Sequence, residues 1–354
     1  MDRIQAFLDA LSVRGLSAAL VHRRENMRYL TGYTGEGCLF VSAKARAILT
    51  DFRYVEQAAR QAPGIPCVRT RAGRSVEALV SELLAGSGAD ALAVETDFLS
   101  HDGFVSLQAA LGGARLVSLA GVPEALRVRK DEGEIASIRR AADIACRAFE
   151  RMLGVIRPGM TEREVAAALD YEMLRLGSEG AAFPTIACAG ENGALPHAEP
   201  GEHRLQMGEL LTLDFGATCD GYRSDMTRTV GIGKVSAELK AVYQTVLDAQ
   251  LLALEAIRPG AVCGQIDALA RDLIDARYPG AFGHSLGHGV GLYIHEQPRL
   301  GMGDGTVLEA GHVVTVEPGI YISGLGGCRI EDMAILTSDG YINPISAPKH
   351  LIEL

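Results

Sequence analysis

The chain has 354 residues, enough for about two domains of the usual 100–200 residues. Hydrophobic residues make up 48% and charged residues 22%, and 44 acidic against 34 basic side chains give a formal charge of −10, which points away from nucleic acid and anionic membranes as partners. No apolar run reaches the roughly 18 residues of a membrane span, the start Met1-Asp2-Arg3-Ile4-Gln5 lacks a signal-peptide pattern, and seven cysteines without close pairs fit neither a disulfide scaffold nor a zinc ribbon, so a reducing cytoplasm is expected.

Through about residue 120, short apolar runs alternate with helical periodicity. Strands are predicted at 18–22, 38–41, 47–50, 91–94 and 116–119. Between them Val76, Leu79, Val80, Leu83 and Leu84 recur at helical spacing. This predicts an α/β domain over residues 1–124. The charge run 127–134 reads as a solvated helix start at a domain boundary near 125, continuing as a helix through Ile135, Ile138, Ala142 and Ala145.

Residues 125–354 contain an internal echo. Val155-Ile156-Arg157-Pro158-Gly159 recurs as Ala256-Ile257-Arg258-Pro259-Gly260, 101 positions later, each copy between apolar helical stretches. The echo predicts a duplicated αβ unit with a pseudo-two-fold axis, and the join of the halves is the natural place for a ligand site.

Leu211–Ala217 and Tyr222–Val230 alternate as strands do, and Asp220-Gly221 between them is a hairpin signal. Centring the turn there puts Asp214 opposite Thr227, with Asp225 two residues away on the same face. Adjacent carboxylates repel unless a cation lies between them; taken alone, they could equally be exposed hairpin acids. Downstream, His284, His288 and His295 fall within twelve residues, interleaved with glycines whose spacing fits neither a dinucleotide nor a phosphate loop. Glu317 ends the apolar run Val313-Val314-Thr315-Val316, and Glu331 lies inside a predicted strand over 328–336. Charges in buried strands are rare unless paired or metal-bound, and Arg329, on the same face as Glu331, could simply pair with it. Together, four carboxylates and a histidine suit Mn2+, Co2+, Fe2+ or Zn2+. Four negative charges match two divalent ions, which predicts a dinuclear centre able to activate a shared water and polarise a carbonyl.

These segments resemble the metal-dependent pita-bread peptidases, which include methionine aminopeptidases, aminopeptidase P and prolidase. The resemblance covers nearly the whole chain and implies a creatinase-like N-terminal α/β domain (1–124) and a pita-bread catalytic domain (125–354). It implies that Asp214, Asp225, His288, Glu317 and Glu331 hold two divalent metals, with Asp225 and Glu331 touching both. Mn2+ is expected first, with Co2+, Zn2+ or Fe2+ as alternatives. His197 resembles the family histidine that meets the substrate, His284 and His295 resemble the flanking histidines, and Arg329 resembles the arginine that orients a ligand carboxylate.

The N-terminal domain and the Arg329-Ile330-Glu331-Asp332 context resemble the proline-specific branch rather than methionine aminopeptidase. Retention of all five ligand positions argues against the metal-free creatinase and against a non-catalytic binding protein. Arg299, in His295-Glu296-Gln297-Pro298-Arg299-Leu300, resembles the prolidase arginine that meets the substrate carboxylate. The implied activity is hydrolysis of the bond before proline in Xaa-Pro dipeptides, with aminopeptidase P action on longer peptides as the alternative. Glu317 is then the proton carrier, His197 or His295 faces the oxyanion, and Phe183 and Tyr321 wall an apolar proline pocket. Relatives of this kind imply a homodimer.

Overall fold

The computed structural model describes residues 2–354. The chain forms two compact units, divided between Arg127 and Val128.

The first unit is built on a six-stranded mixed sheet in the order Cys67–Arg69, Arg46–Thr50, Cys38–Ser42, Ala18–Val21, Ala91–Val94, Arg115–Ser118. Ala19, Val21, Leu39, Val41 and Ile48 pack one face against Phe7, Leu11, Met27 and Leu30. Ala18, Leu20, Phe40, Leu49 and Leu92 pack the other against Leu79, Val80, Leu84 and Leu107. A sheet covered on both faces needs strands apolar at every position, which is why these runs are visible in the sequence. Cys67–Arg69 is not: it is three residues long, at the sheet edge, and carries no buried residue. The periodic segment forms the helix Val76–Ser87, whose Ser75 hydroxyl accepts the Ala78 N–H at 3.3 Å.

The charge run is not the solvated helix start expected. Arg129, Asp131 and Glu132 face water, but Arg127, Lys130 and Glu134 are only 4%, 6% and 4% exposed. Each buried member has a polar partner inside its own unit. Arg127 donates to Asn26 Oδ1, Lys130 pairs with Glu296, and Glu134 accepts the Tyr222 hydroxyl. Glu134 also completes a capping box with Asp131 at the start of the helix Glu132–Met152.

In the second unit the echo is a structural duplication. The helices Glu132–Met152 and Glu162–Arg175 flank the first copy, and Ala237–Ala256 and Cys263–Asp275 flank the second. Gly159 and Gly260 adopt φ of +88° and +89°, a region open to glycine because it lacks Cβ. Their N–H groups donate to Leu205 O at 2.9 Å and to Leu308 O at 2.8 Å. In the first half Leu210–Phe215 lies between Ile186–Ala189 and Met226–Gly231. In the second, Val313–Val316 lies between Gly287–Gly289 and Asp332–Leu336, and every pairing is antiparallel.

The single strand expected over 328–336 is broken. Gly326–Arg329 pairs with Gly319–Ile322, whereas Asp332–Leu336 pairs with Val313–Val316. At the break the Glu331 N–H donates to Thr227 O at 3.1 Å, joining the two halves. Among the described residues no helix is long and apolar enough to cross a membrane.

Candidate metal centre

The duplication delivers acids at equivalent places. Asp214 lies in Leu210–Phe215 opposite Thr227, and Asp225 immediately precedes Met226–Gly231. In the other half Glu317 immediately follows Val313–Val316, and Glu331 immediately precedes Asp332–Leu336. His288 sits in Gly287–Gly289, opposite Arg299 of Glu296–Leu300. The glycines permit this crowding: a Cβ at Gly287 would lie 2.0 Å from Thr315 O.

His288 Nε2 is 3.3 Å from Glu317 Oε1 and 3.5 Å from Asp225 Oδ2. One ligand atom from each of Asp225, His288 and Glu331 lies within 4.8 Å of the others. His288 Nδ1 is 3.0 Å from Gly289 O, which places the proton on Nδ1 and turns Nε2 toward the carboxylates. Arg329 Nη2 donates to Asp214 Oδ2 at 2.6 Å, Nη1 to the Tyr321 hydroxyl at 2.7 Å, and Nε to Thr227 Oγ1 at 3.2 Å. Arg329 therefore pairs with Asp214 rather than with Glu331. The Thr227 hydroxyl donates to Glu331 Oε2 at 2.7 Å, and Thr315 Oγ1 donates to Glu317 Oε1 at 3.1 Å. Neither threonine stands out in the sequence as a site residue, although alternation puts Thr227 on the Asp225 face and Thr315 on the Glu317 face.

Residues 136–338, more than half of the chain, match metallopeptidase family M24, and residues 3–129 match the creatinase/prolidase N-terminal domain. The chain belongs to metallopeptidase family M24. It is 33% identical over 343 residues to the Xaa-Pro dipeptidase of Pyrococcus horikoshii, an alignment covering 96% of this chain and 95% of that protein. A solved Xaa-Pro dipeptidase from Bacillus anthracis superimposes with a TM-score of 0.96 at 40% identity, covering 100% of this chain and 99% of the other. The X-Pro aminopeptidase structure from Thermotoga maritima gives 0.90 at 34% identity, covering 98% and 100%.

The metallopeptidase's acids repel one another. Burial, and then the neighbouring carboxylates, push Asp225 and Glu331 well above the usual carboxylate range. Burial also raises Asp214, against the pull of Arg329. For Glu317, burial is outweighed by the hydrogen bond and charge of His288, and its carboxyl is held low. Burial would lower His288, but Glu317 and Asp225 raise it to about 9. Among the described residues, Asp214 Oδ1 and Glu331 Oε1 are buried without a hydrogen-bond partner. Leaving such atoms unsatisfied is costly. Two orphaned carboxylate oxygens among four clustered acids fit a divalent cation, and its binding would release the proton from His288.

Around this centre, the half-buried His284 has Nε2 2.9 Å from the Tyr321 hydroxyl. The solvent-facing His295 ring meets His288 edge-on, with centroids 4.5 Å apart. Burial lowers both His284 and His295, and the charge of the exposed His197 adds to this in each case. Arg299 is exposed, donates from Nε to Ser285 Oγ at 2.6 Å, and lines a cavity of about 330 Å3 with Arg271, His284, Ser285 and Asp304. The expected proline pocket is only partly assembled. Phe183 is half-buried beside Ala182 and makes no ring contact with the site histidines. Tyr321, expected as an apolar wall, is instead a polar junction whose hydroxyl is shared by His284 and Arg329.

Proposed function

We propose that this metallopeptidase is a dinuclear-metal exopeptidase that hydrolyses the bond before proline in Xaa-Pro dipeptides. The observation that carries the dipeptide reading is Arg299. It stands across the strand pair from His288 on the cavity wall, and among the described residues its Nη atoms make no protein hydrogen bond or ion pair. A guanidinium so placed can take a substrate's terminal carboxylate bidentately, and only a short peptide presents that carboxylate so near the centre.

Two divalent ions, Mn2+ first, would be held by Asp214, Asp225, His288, Glu317 and Glu331, where they would polarise the scissile carbonyl and make a water nucleophilic. Glu317, held ionised by His288, accepts the water's proton and passes it to the proline nitrogen. His295, held neutral by its lowered pKa, donates an N–H toward the developing oxyanion beside His197. Arg329 aims Asp214 and, through Tyr321, ties it to His284. The catalytic domain is 125–354, with 1–124 as an accessory domain. The enzyme is expected as a cytoplasmic homodimer, and its seven unbridged cysteines are consistent with a reducing compartment. Aminopeptidase P action is the second reading, favoured by the likeness to the Thermotoga maritima structure.

The test is hydrolysis by metal-stripped protein reloaded with Mn2+, Co2+ or Zn2+. Cleavage of an Xaa-Pro dipeptide in preference to an Xaa-Pro-Xaa tripeptide is expected. Preference for the tripeptide moves the enzyme to aminopeptidase P, and metal-dependent cleavage of neither overturns the proline reading.

A further inference from the structure

We propose that Lys130 and Glu296 are a positioning pair for His295. The inference rests on the reading above that His295 faces the reacting carbonyl. The two side chains are 1% and 7% exposed, and Lys130 Nζ lies 3.1 Å from Glu296 Oε2. Lys130 Nζ also donates to Val128 O at 3.2 Å, and the Lys130 N–H donates to Gly311 O at 2.8 Å. Glu296 directly follows His295, and its other oxygen, Oε1, accepts the Tyr293 N–H at 2.9 Å. Across the same turn the Gly291 N–H donates to Tyr293 O at 3.1 Å. A Cβ at Gly291 would come within 2.6 Å of the Glu296 carboxylate. The carboxylate therefore fills the turn 291–296 on which His295 stands.

His295 depends on that turn more than its neighbours depend on theirs. His284 is anchored at both ring nitrogens, by Ser285 O and the Tyr321 hydroxyl. His288 is anchored at Nδ1 and faces two carboxylates through Nε2. Among the described residues the His295 ring makes no hydrogen bond, and its one ring–ring contact is edge-on with His288, so the backbone beneath it sets where it stands. A buried charge that loses its partner must move or draw in water, and displacing a group that meets the transition state by about 1 Å can cost 100-fold. Lys130 thus reaches from the charge run at the start of the second unit to hold a histidine 165 positions further along the chain.

The test compares wild type, Lys130→Met, Glu296→Gln, His295→Ala and the Lys130→Met/His295→Ala double variant, all Mn2+-loaded, on an Xaa-Pro dipeptide. Lys130→Met is expected to lower kcat 10- to 100-fold with KM changed less than threefold and with Mn2+ content and affinity unchanged. In the His295→Ala background the same substitution should cost less than twofold. An equal loss in both backgrounds, or a loss that follows Mn2+ content, overturns the positioning role. If Lys130→Met does not fold, Glu296→Gln, which keeps an acceptor for Tyr293, carries the same cycle against His295→Ala. Failure of the wild type to cleave the dipeptide would count against the proposed function alone. The pair would then be judged by histidine side-chain NMR, where the His295 resonances should shift in either variant and those of His203 should not; an unmoved His295 overturns it.

Discussion

Glu331 and Asp332 adjoin in sequence and are 1% and 0% exposed, yet they lie in two regions of opposite electrostatic character. Asp332 Oδ1 accepts Arg228 Nη2 at 2.8 Å, and Oδ2 accepts Lys349 Nζ at 2.8 Å, Asn343 Nδ2 at 2.8 Å and Gln250 Nε2 at 3.2 Å. Arg228 extends this network to the carbonyls of Thr227, Glu331, Ala347 and Pro348, bracing both halves of the unit against the C-terminal segment. Burial alone would raise Asp332, but Arg228 and Lys349 outweigh it and the carboxyl is held low. Among the described residues Glu331 has one side-chain donor, the Thr227 hydroxyl, and one orphaned oxygen, and burial, then its neighbouring carboxylates, push its carboxyl up. Burial is common to both; unsatisfied burial separates an acid suited to a cation from one that holds the fold.

The largest expected effect is on the Glu331 side. Glu331→Gln should lower dipeptide hydrolysis more than 100-fold, beyond the 10- to 100-fold typical of groups that only support a ligand. The metal-free variant should melt no lower than wild type, because one like charge is gone. A strong loss of metal-free stability would instead put Glu331 in the same class as Asp332. Asp332→Ala should act the other way, leaving Arg228 buried without its carboxylate and costing about 3–5 kcal/mol in denaturant unfolding. Lost activity at unchanged stability would erase the distinction.

Acidity should separate most of the centre from Asp332 by sign; Glu317, held low by His288, follows Asp332 instead. Asp214, Asp225 and Glu331 are raised, and His288 is raised from 6.5 to about 9. The folded metal-free protein therefore binds protons that the unfolded chain releases, and stability is lost as pH rises, for His288 between 6.5 and 9. Asp332 is lowered from 3.8, so its contribution is present above that value and lost on further acidification. Melting temperatures of the metal-free enzyme should fall from pH 6.5 to 9, and saturating Mn2+ should flatten the slope by replacing the protons. A flat metal-free profile would contradict the repulsion assigned to the cluster. The smallest effect is expected for Thr227→Val, which removes the one donor to Glu331: about 1 kcal/mol, or roughly fivefold weaker Mn2+ binding in a titration. No change would make that hydroxyl incidental.

Much of this arrangement is readable before any coordinates. The Asp220-Gly221 hairpin sets its own register, and Asp214 pairs with Thr227 as the turn predicts. Five of the six strands of the first unit and the repeated Pro-Gly turns also announce themselves, because each depends on residues close in sequence. The break at Ile330-Glu331 does not, nor does the choice of Asp214 over Glu331 by Arg329. The burial of Lys130 and Glu134 inside a run that reads as solvent-facing is equally hidden.

Periodicity, turn chemistry and the internal echo are thus legible in the sequence, and family resemblance to its motifs picked out the four acids and one histidine of the candidate centre. Tertiary structure alone decided which charges are satisfied. Asp332 finds Arg228 from 104 positions away, Asp214 finds Arg329 from 115, and Lys130 finds Glu296 from 166. Whether a buried carboxylate meets a donor or another carboxylate depends on its neighbours in space, and those are brought together only when the two halves close on one another.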